Sequence, residues 1–501
     1  MQIQLPLWSD ETEFNYPSSL ATSAFSHDLV NPRSEREALE DRYADLLEET
    51  DEFNRKSVSY QGNKGEFVHS WIKYKEGFSA QLVENLLQKF GVKPGQNVLE
   101  PFSGSATTLL IAKALGINAT GIEILPLCHL AWEAKSRVFE YNLAELQEIY
   151  QSMVETTSVE TGKAFPHLVI TKSAFSFETG QAIMFYSQWF ESLNVSHAAK
   201  VLCKLILTGI LEEVSYTRKD GQYLRWDYRA EKVQERNEIR VMQGKTPMDR
   251  LDKGRLPSVK EALLKSFASI IQDIRKLQAF PFQPSQQQLI IGSSLEILPT
   301  LAADQFDCVI TSPPYCNRYD YTRTYALELA FLGCGEESIR TLRQNQLACT
   351  VESRPKLEAL AAYYATMGQQ TRYSQITNVI QNNAALKEIK KALQVRWERG
   401  EINNKGILTM VEGYFTELTF IFAEVFRLCR SGAHIAFVND NVRYGGEVIP
   451  VDLLTTNLAE QLGFEPIKIY VLTQRKGNSS QQMKKFGREA LRKSVIVWRK
   501  P

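Results

Sequence analysis

No two of the seven cysteines are spaced as C-x-x-C, and none of the six histidines falls at metal-ligand spacing. A structural zinc site of the familiar sequence form is therefore excluded, and no metal is expected. Net charge is missing as well. The 58 Lys and Arg residues balance 58 Asp and Glu residues, so the chain is not a whole-surface polyanion binder, and any nucleic-acid affinity must come from where its charges sit. Long apolar runs are absent: no stretch approaches the ~20 residues needed to cross a bilayer. The opening MQIQLPLWSDETEF lacks the basic and apolar regions of a signal peptide. A cytoplasmic protein with no membrane partner is expected, its scattered cysteines serving as small buried thiols.

What is present is ordinary for a globular protein: 44% hydrophobic and 23% charged residues in 501. That length exceeds what one core usually organises, so a catalytic domain with large insertions is expected. Charge is uneven locally. Residues 473–500 carry nine Lys and Arg residues against one acid, Glu489. The stretch TRKDGQYLRWDYRAEK interleaves Arg218, Lys219, Arg225 and Arg229 with Tyr223, Trp226 and Tyr228. The acidic run EREALEDRYADLLEETDE at 35–52 reads as one solvated helix outside any binding face.

From position 60 short apolar strands alternate with helices, the pattern of a sheet wrapped by helices. SAQLVENLLQKF (79–90) is an amphipathic helix, NVLEPF (97–102) a strand, SGSATTLLIAKALG a helix and NATGIEI (118–124) a second strand, making 97–124 a complete βαβ unit. Strands QQLIIG (287–292) and FDCVITS (306–312) follow, then a helix at 411–429, the strand AHIAFVN and two closing strands joined by a long basic loop. This divides the chain into a partly ordered lead-in (1–55), a cofactor half of the core (56–139), a helix-rich insertion that is the candidate recognition module (140–286), a second core piece (287–339), a helical insertion (340–408) and a third core piece (409–501).

Two motifs carry chemistry. Glu100, Pro101, Phe102, Ser103, Gly104, Ser105, Ala106 and Thr107 lie where a strand becomes a helix. Small residues there let the backbone turn tightly and approach a ligand at free helix N–H groups. Glu123, at the tip of the next strand, stands where a dinucleotide-type fold hydrogen-bonds ribose hydroxyls. The second motif, Thr311-Ser312-Pro313-Pro314-Tyr315, leaves the carboxyl end of an apolar strand. Its two prolines fix the chain and remove two donors, so carbonyls and the Ser312 hydroxyl are set to accept hydrogen bonds, as an exocyclic amino group requires. Tyr315 can stack on the base.

VLEPFSGSATT, GIEI and TSPPY together resemble the amino-methylating, S-adenosylmethionine-dependent DNA methyltransferases, in the unpermuted order of cofactor loop before catalytic motif. The resemblance covers roughly residues 60–125 and 285–335. It implies an α/β fold, a Rossmann-like class I methyltransferase sheet with an antiparallel last strand plus helix-rich insertions, and it implies S-adenosylmethionine as cofactor. FVHSWIKYKEGFSAQLV is similar to the family's additional cofactor segment, implying that Lys75, Gly77 and Phe78 flank the cofactor; Ser293, Ser294 and Thr311 join the same set. The family commonly has Asp at the position of Glu100, Gly at that of Ala106 and an acid at that of Ser293, so a slightly displaced cofactor is expected.

The resemblance further implies a target base flipped from double-stranded DNA into the pocket at 312–315. The methyl passes directly to the amino nitrogen, without the Pro-Cys thiolate of cytosine-C5 enzymes; Cys316 is a bystander. Ser312 leans the target toward cytosine N4, with adenine N6 as the alternative and a catalytically silent nucleic-acid-binding protein as the rival from another class. DNA contacts are expected from Arg218, Arg225 and Arg229, and from Lys484, Lys485 and Arg488 in the last loop. That loop is expected to reach the duplex backbone because the final strand pair should lie at the sheet edge. A restriction-modification setting implies a cognate endonuclease as companion.

Overall fold

Side chains that point alternately to either side put Val98, Cys308 and Ile310 on one face of a sheet and Leu99 and Val309 on the other, and all five are buried, so both faces must be covered. The structure, a computed structural model, describes residues 34–220, 223–248, 251–280, 283–473 and 491–501. The strands of its central sheet are β1 (Leu47–Thr50), β2 (Asn97–Glu100), β3 (Asn118–Glu123), β4 (Gln287–Ile291), β5 (Phe306–Thr311), β6 (Cys429–Asp440), β7 (Glu465–Leu472) and β8 (Lys493–Arg499). They form one sheet in the order β1-β7-β8-β6-β5-β2-β3-β4. All pairs are parallel except those of β8, which runs antiparallel to both β6 and β7. This is the expected Rossmann-like methyltransferase sheet with an antiparallel last strand.

One face is covered by helices Ala80–Lys89 and Thr107–Ala114 through Leu82, Val83, Leu86, Leu109 and Ala112. Ser79 caps the first of these, its hydroxyl accepting the Leu82 N–H. The other face is covered by helices Gly406–Leu428 and Val451–Gln461. Gly406–Leu428 is the one helix among the described residues long and apolar enough to cross a bilayer. It is instead the central core helix, and its Glu417 and Glu424 pair with Lys356 and Arg372.

The insertion at 140–286 holds helices Leu143–Glu155, Phe177–Ser192, His197–Val214, Glu231–Met242 and Val259–Leu277, with a hairpin of strands Thr217–Asp220 and Tyr223–Trp226. Its apolar residues join those of Pro126–Ser136 and of Tyr319–Ala330 in one cluster. The second insertion contributes helices Leu357–Thr366, Gln370–Asn382 and Ala384–Glu398, packed on Gly406–Leu428 through Tyr364, Ile376 and Ile389.

Two expectations are corrected here. The acidic run at 35–52 is not one solvated helix: it is a helix at Glu35–Tyr43 followed by β1, whose Leu47–Thr50 pair in parallel with Ile469–Leu472. The final strand pair is consequently not the sheet edge, because β1 takes that position and β8 is interior. Both readings missed the same thing. A charged strand such as LEET is specified by its partner strand rather than by its own alternation.

Candidate functional site

The chain leaves β2 at Glu100 and turns back into the helix at Thr107 through a loop that only small residues can make. Gly104 has φ +51, and a Cβ there would lie 2.8 Å from Tyr74 Cε1. Ala106 is left-handed at φ +65, ψ 35 and fully buried, a position that favours glycine. Gly121 on β3 lets the loop approach, since a Cβ there would lie 2.2 Å from Ser103 Oγ. The helix therefore begins at Thr107, four residues later than its sequence suggests.

Glu123 closes this loop onto β3. One carboxylate oxygen accepts the Gly104 N–H at 2.7 Å, and the other accepts the N–H groups of Ile124 and Leu125, both at 2.8 Å. Burial pushes its carboxyl up to about 7 even though these donors favour the charge. Glu100 is still deeper: burial raises it to about 8, and it accepts the Thr108 hydroxyl at 2.7 Å. It supports the loop from inside and does not line the cleft.

That cleft, about 710 Å³ including its part open to solvent, is walled by Gly77, Phe78, the 101–105 loop, Thr107, Glu123, Ser293, Ser294, Ser312 and Pro314. It thus unites both motifs. Lys75, Glu100 and Thr311 of the expected cofactor set stand off its wall, as do Pro313 and Tyr315. The Lys75 ammonium turns instead to the Lys219 carbonyl. Tyr74 and Glu76, which flank Lys75, do line the cleft; Tyr74 stacks on Tyr325 at 5.2 Å, and the Tyr325 hydroxyl donates to Glu76. Also on the wall are Tyr321, Asn345, Gln346 and Leu347. No local pattern marks the last three, which sit at the head of an insertion.

In the Ser312-Pro313-Pro314-Tyr315 motif the Ser312 hydroxyl donates to Tyr315 Oη at 3.2 Å, leaving its own lone pairs to accept. Cys316 is fully buried, and burial drives its thiol well above the ordinary range, an environment that disfavours a thiolate.

The DNA-facing candidates divide. Arg218 and Arg225 are exposed and directly opposite each other in the hairpin. Arg229 grips the buried Asp227 with both ends of its guanidinium, at 2.7 and 2.9 Å. Lys219 is buried against Glu328. Lys484, Lys485 and Arg488 lie outside the described residues. The basic run at 473–500 is also less free than its sequence suggests: Arg492 pairs with Asp452 and Glu40, Lys493 with Asp440, Arg499 with Glu465 and Lys500 with Asp304.

The cleft's polar groups fit S-adenosylmethionine: an acid at the β3 tip to accept from hydroxyls, a small-residue loop at a helix N-terminus, and the buried Gln346 Oε1, which has no hydrogen-bond partner and which an amino group would satisfy. Among the described residues no His, Cys, Asp and Glu cluster could hold a metal. Fold and site together define a Rossmann-like methyltransferase. A family model described as DNA methylase, for the N6 and N4 enzymes, matches residues 11–131. The type II methyltransferase M.BsoBI of Geobacillus stearothermophilus is 54% identical over 507 residues, covering 100% of this chain and 99% of the relative. The type II methyltransferases M.AvaI of Nostoc sp. and of Anabaena variabilis are each 40% identical over 473 residues, covering 93% of both chains. The chain belongs to the amino-methylating family of type II DNA methyltransferases, whose methyl donor is S-adenosylmethionine.

Proposed function

We propose that this enzyme methylates the exocyclic N4 of a cytosine flipped out of double-stranded DNA. The observation that carries the reading is Ser312, the first residue of the SPPY motif, on the wall of the same cleft as Glu123 and the 101–105 loop. Its hydroxyl hydrogen is engaged by Tyr315, so Ser312 Oγ meets the base as an acceptor. Accepting an amino N–H there and at the neighbouring carbonyls raises electron density on the nitrogen that attacks the sulfonium methyl. Gly77, Phe78, Pro101, Phe102, Ser103, Gly104, Ser105, Thr107, Glu123, Ser293 and Ser294 hold the cofactor in this reading. The 140–286 insertion reads the DNA. Arg218 and Arg225, exposed side by side on its hairpin, support that assignment, because surface cations placed together supply contacts to a phosphate backbone. A cognate restriction endonuclease is the expected companion in the cell.

The test is to incubate unmethylated genomic DNA with the protein and S-adenosylmethionine, digest to nucleosides and identify the product by mass spectrometry. N4-methylcytosine is expected. N6-methyladenine in its place would overturn the assignment.

A further inference from the structure

Tyr315 stands off the cleft wall, and its hydroxyl is held from behind. Lys493 opens β8 and Asp440 closes β6, and the two are cross-strand partners in the antiparallel pair. Their side chains form an ion pair at 2.9 Å, only 12% and 15% exposed. The same ammonium donates to Tyr315 Oη at 3.3 Å and lies 4.9 Å from the centre of its ring. Burial opposes the charge on Lys493, but Asp440 and Tyr315 hold it above the ordinary lysine range.

The consequences run outward from this pair. An ammonium can only donate, so Lys493 fixes where a lone pair of Tyr315 Oη must point. Tyr315 Oη in turn receives the Ser312 hydroxyl at 3.2 Å. A serine alone has three staggered side-chain positions; this one is tethered. The hydrogen bonds therefore run from Ser312 and from Lys493 to a shared oxygen, with Asp440 neutralising the ammonium so that no net charge faces the amino group. We propose that Lys493, clamped by Asp440, is a positioning residue for methyl transfer, acting through Tyr315 to hold Ser312 as the acceptor of the target amino group. This rests on the reading of Ser312 as the base-facing acceptor, though not on which base is methylated.

A purely structural ion pair would also be missed if deleted, so the test is a cycle. Single-turnover transfer of labelled methyl to unmethylated genomic DNA is measured for K493M/D440N, Y315F and all three changes together. Removing both charges avoids leaving one buried and uncompensated. Removing the restraint on Ser312 should slow transfer by about 10- to 100-fold, with cofactor Kd unchanged. In the Y315F background the same two changes should add almost nothing, because the hydroxyl through which they act is gone. An equal loss in both backgrounds would overturn the proposal. Should K493M/D440N not fold, K493R keeps the ion pair and moves the donor; a reduced rate at unchanged Tm supports the role, and an unchanged rate overturns it. If Y315F and S312A themselves leave the rate untouched, the base-facing reading has failed instead, and the nucleoside assay fails separately if the product is N6-methyladenine.

Discussion

The Glu123 carboxylate accepts the Gly104 N–H at 2.7 Å, tying the tip of β3 to the loop after β2. One side chain thus shapes the loop and remains available to ribose hydroxyls, since each carboxylate oxygen accepts more than one hydrogen bond. Glu123→Ala should weaken S-adenosylmethionine binding by ~1.5–3 kcal/mol, the cost of deleting a charged partner, read by titration calorimetry. An affinity equal to wild type would remove Glu123 from the cofactor role.

Glu100 and Glu123 make stability depend on pH with a defined sign. Their folded values, about 8 and about 7, lie above the ordinary 4.5. Below 4.5 both folded and unfolded chains hold the protons and the full stability is present. As pH rises from there, the unfolded chain ionises first while the folded protein still holds its protons, so stability is lost progressively up to pH 7–8. Glu100→Gln removes one contributor, so its Tm relative to wild type should climb between pH 5 and pH 9. A difference in Tm that stays flat over that range would show that Glu100 is not buried as a neutral acid.

Arginines 218, 225 and 229 look alike in the sequence and should behave differently. Arg229 serves Asp227, which its hydrogen bonds and those of the backbone hold down at about 2 against the effect of burial. Arg229→Ala should therefore lower Tm. Arg218→Gln with Arg225→Gln should instead reduce the salt slope of duplex binding by about 2, one for each lost phosphate contact. Fluorescence anisotropy over a KCl series measures it, and an unchanged slope would take the hairpin off the DNA.

The βαβ unit at 97–123 was legible because its periodicity, its turn residues and its glycines all report local geometry. So was the alliance of the two motifs, which a parallel sheet brings to one end. Gln346 was not: it reaches the cleft through the packing of an insertion, and nothing in RQNQLACT encodes that distance. Charge misled for the same reason. Residues 473–500 look unopposed because their acids, Glu40, Asp304, Asp440, Asp452 and Glu465, come from other elements. The acidic helix at 35–43, which reads as solvated, supplies one of them. Its Arg36 is itself buried between Glu388 and Glu447. Ion pairing across the fold cannot be counted within a window of sequence.

Arg492 gives the sharpest form of that point. It sits beside β8, directly after the basic loop, and on sequence alone would be assigned to the DNA backbone. Its guanidinium is 2% exposed and pairs with Asp452 at 2.7 Å on one side and with Glu40 on the other, and Ser494 donates to the same Asp452. Removing it leaves the buried Asp452 carboxylate without its cation and takes Arg492 away from the partly buried Glu40. Arg492→Ala should therefore destabilise the protein by ~3–5 kcal/mol, the usual cost of breaking a buried pair from one side, measured by urea unfolding. Replacing Arg492, Asp452 and Glu40 together by Met, Asn and Gln should cost less than Arg492→Ala alone, because no charge is then stranded. The salt slope of DNA binding by the folded protein should not change. A stable Arg492→Ala protein with a shallower salt slope would put Arg492 on the phosphates and return the basic run to the DNA surface.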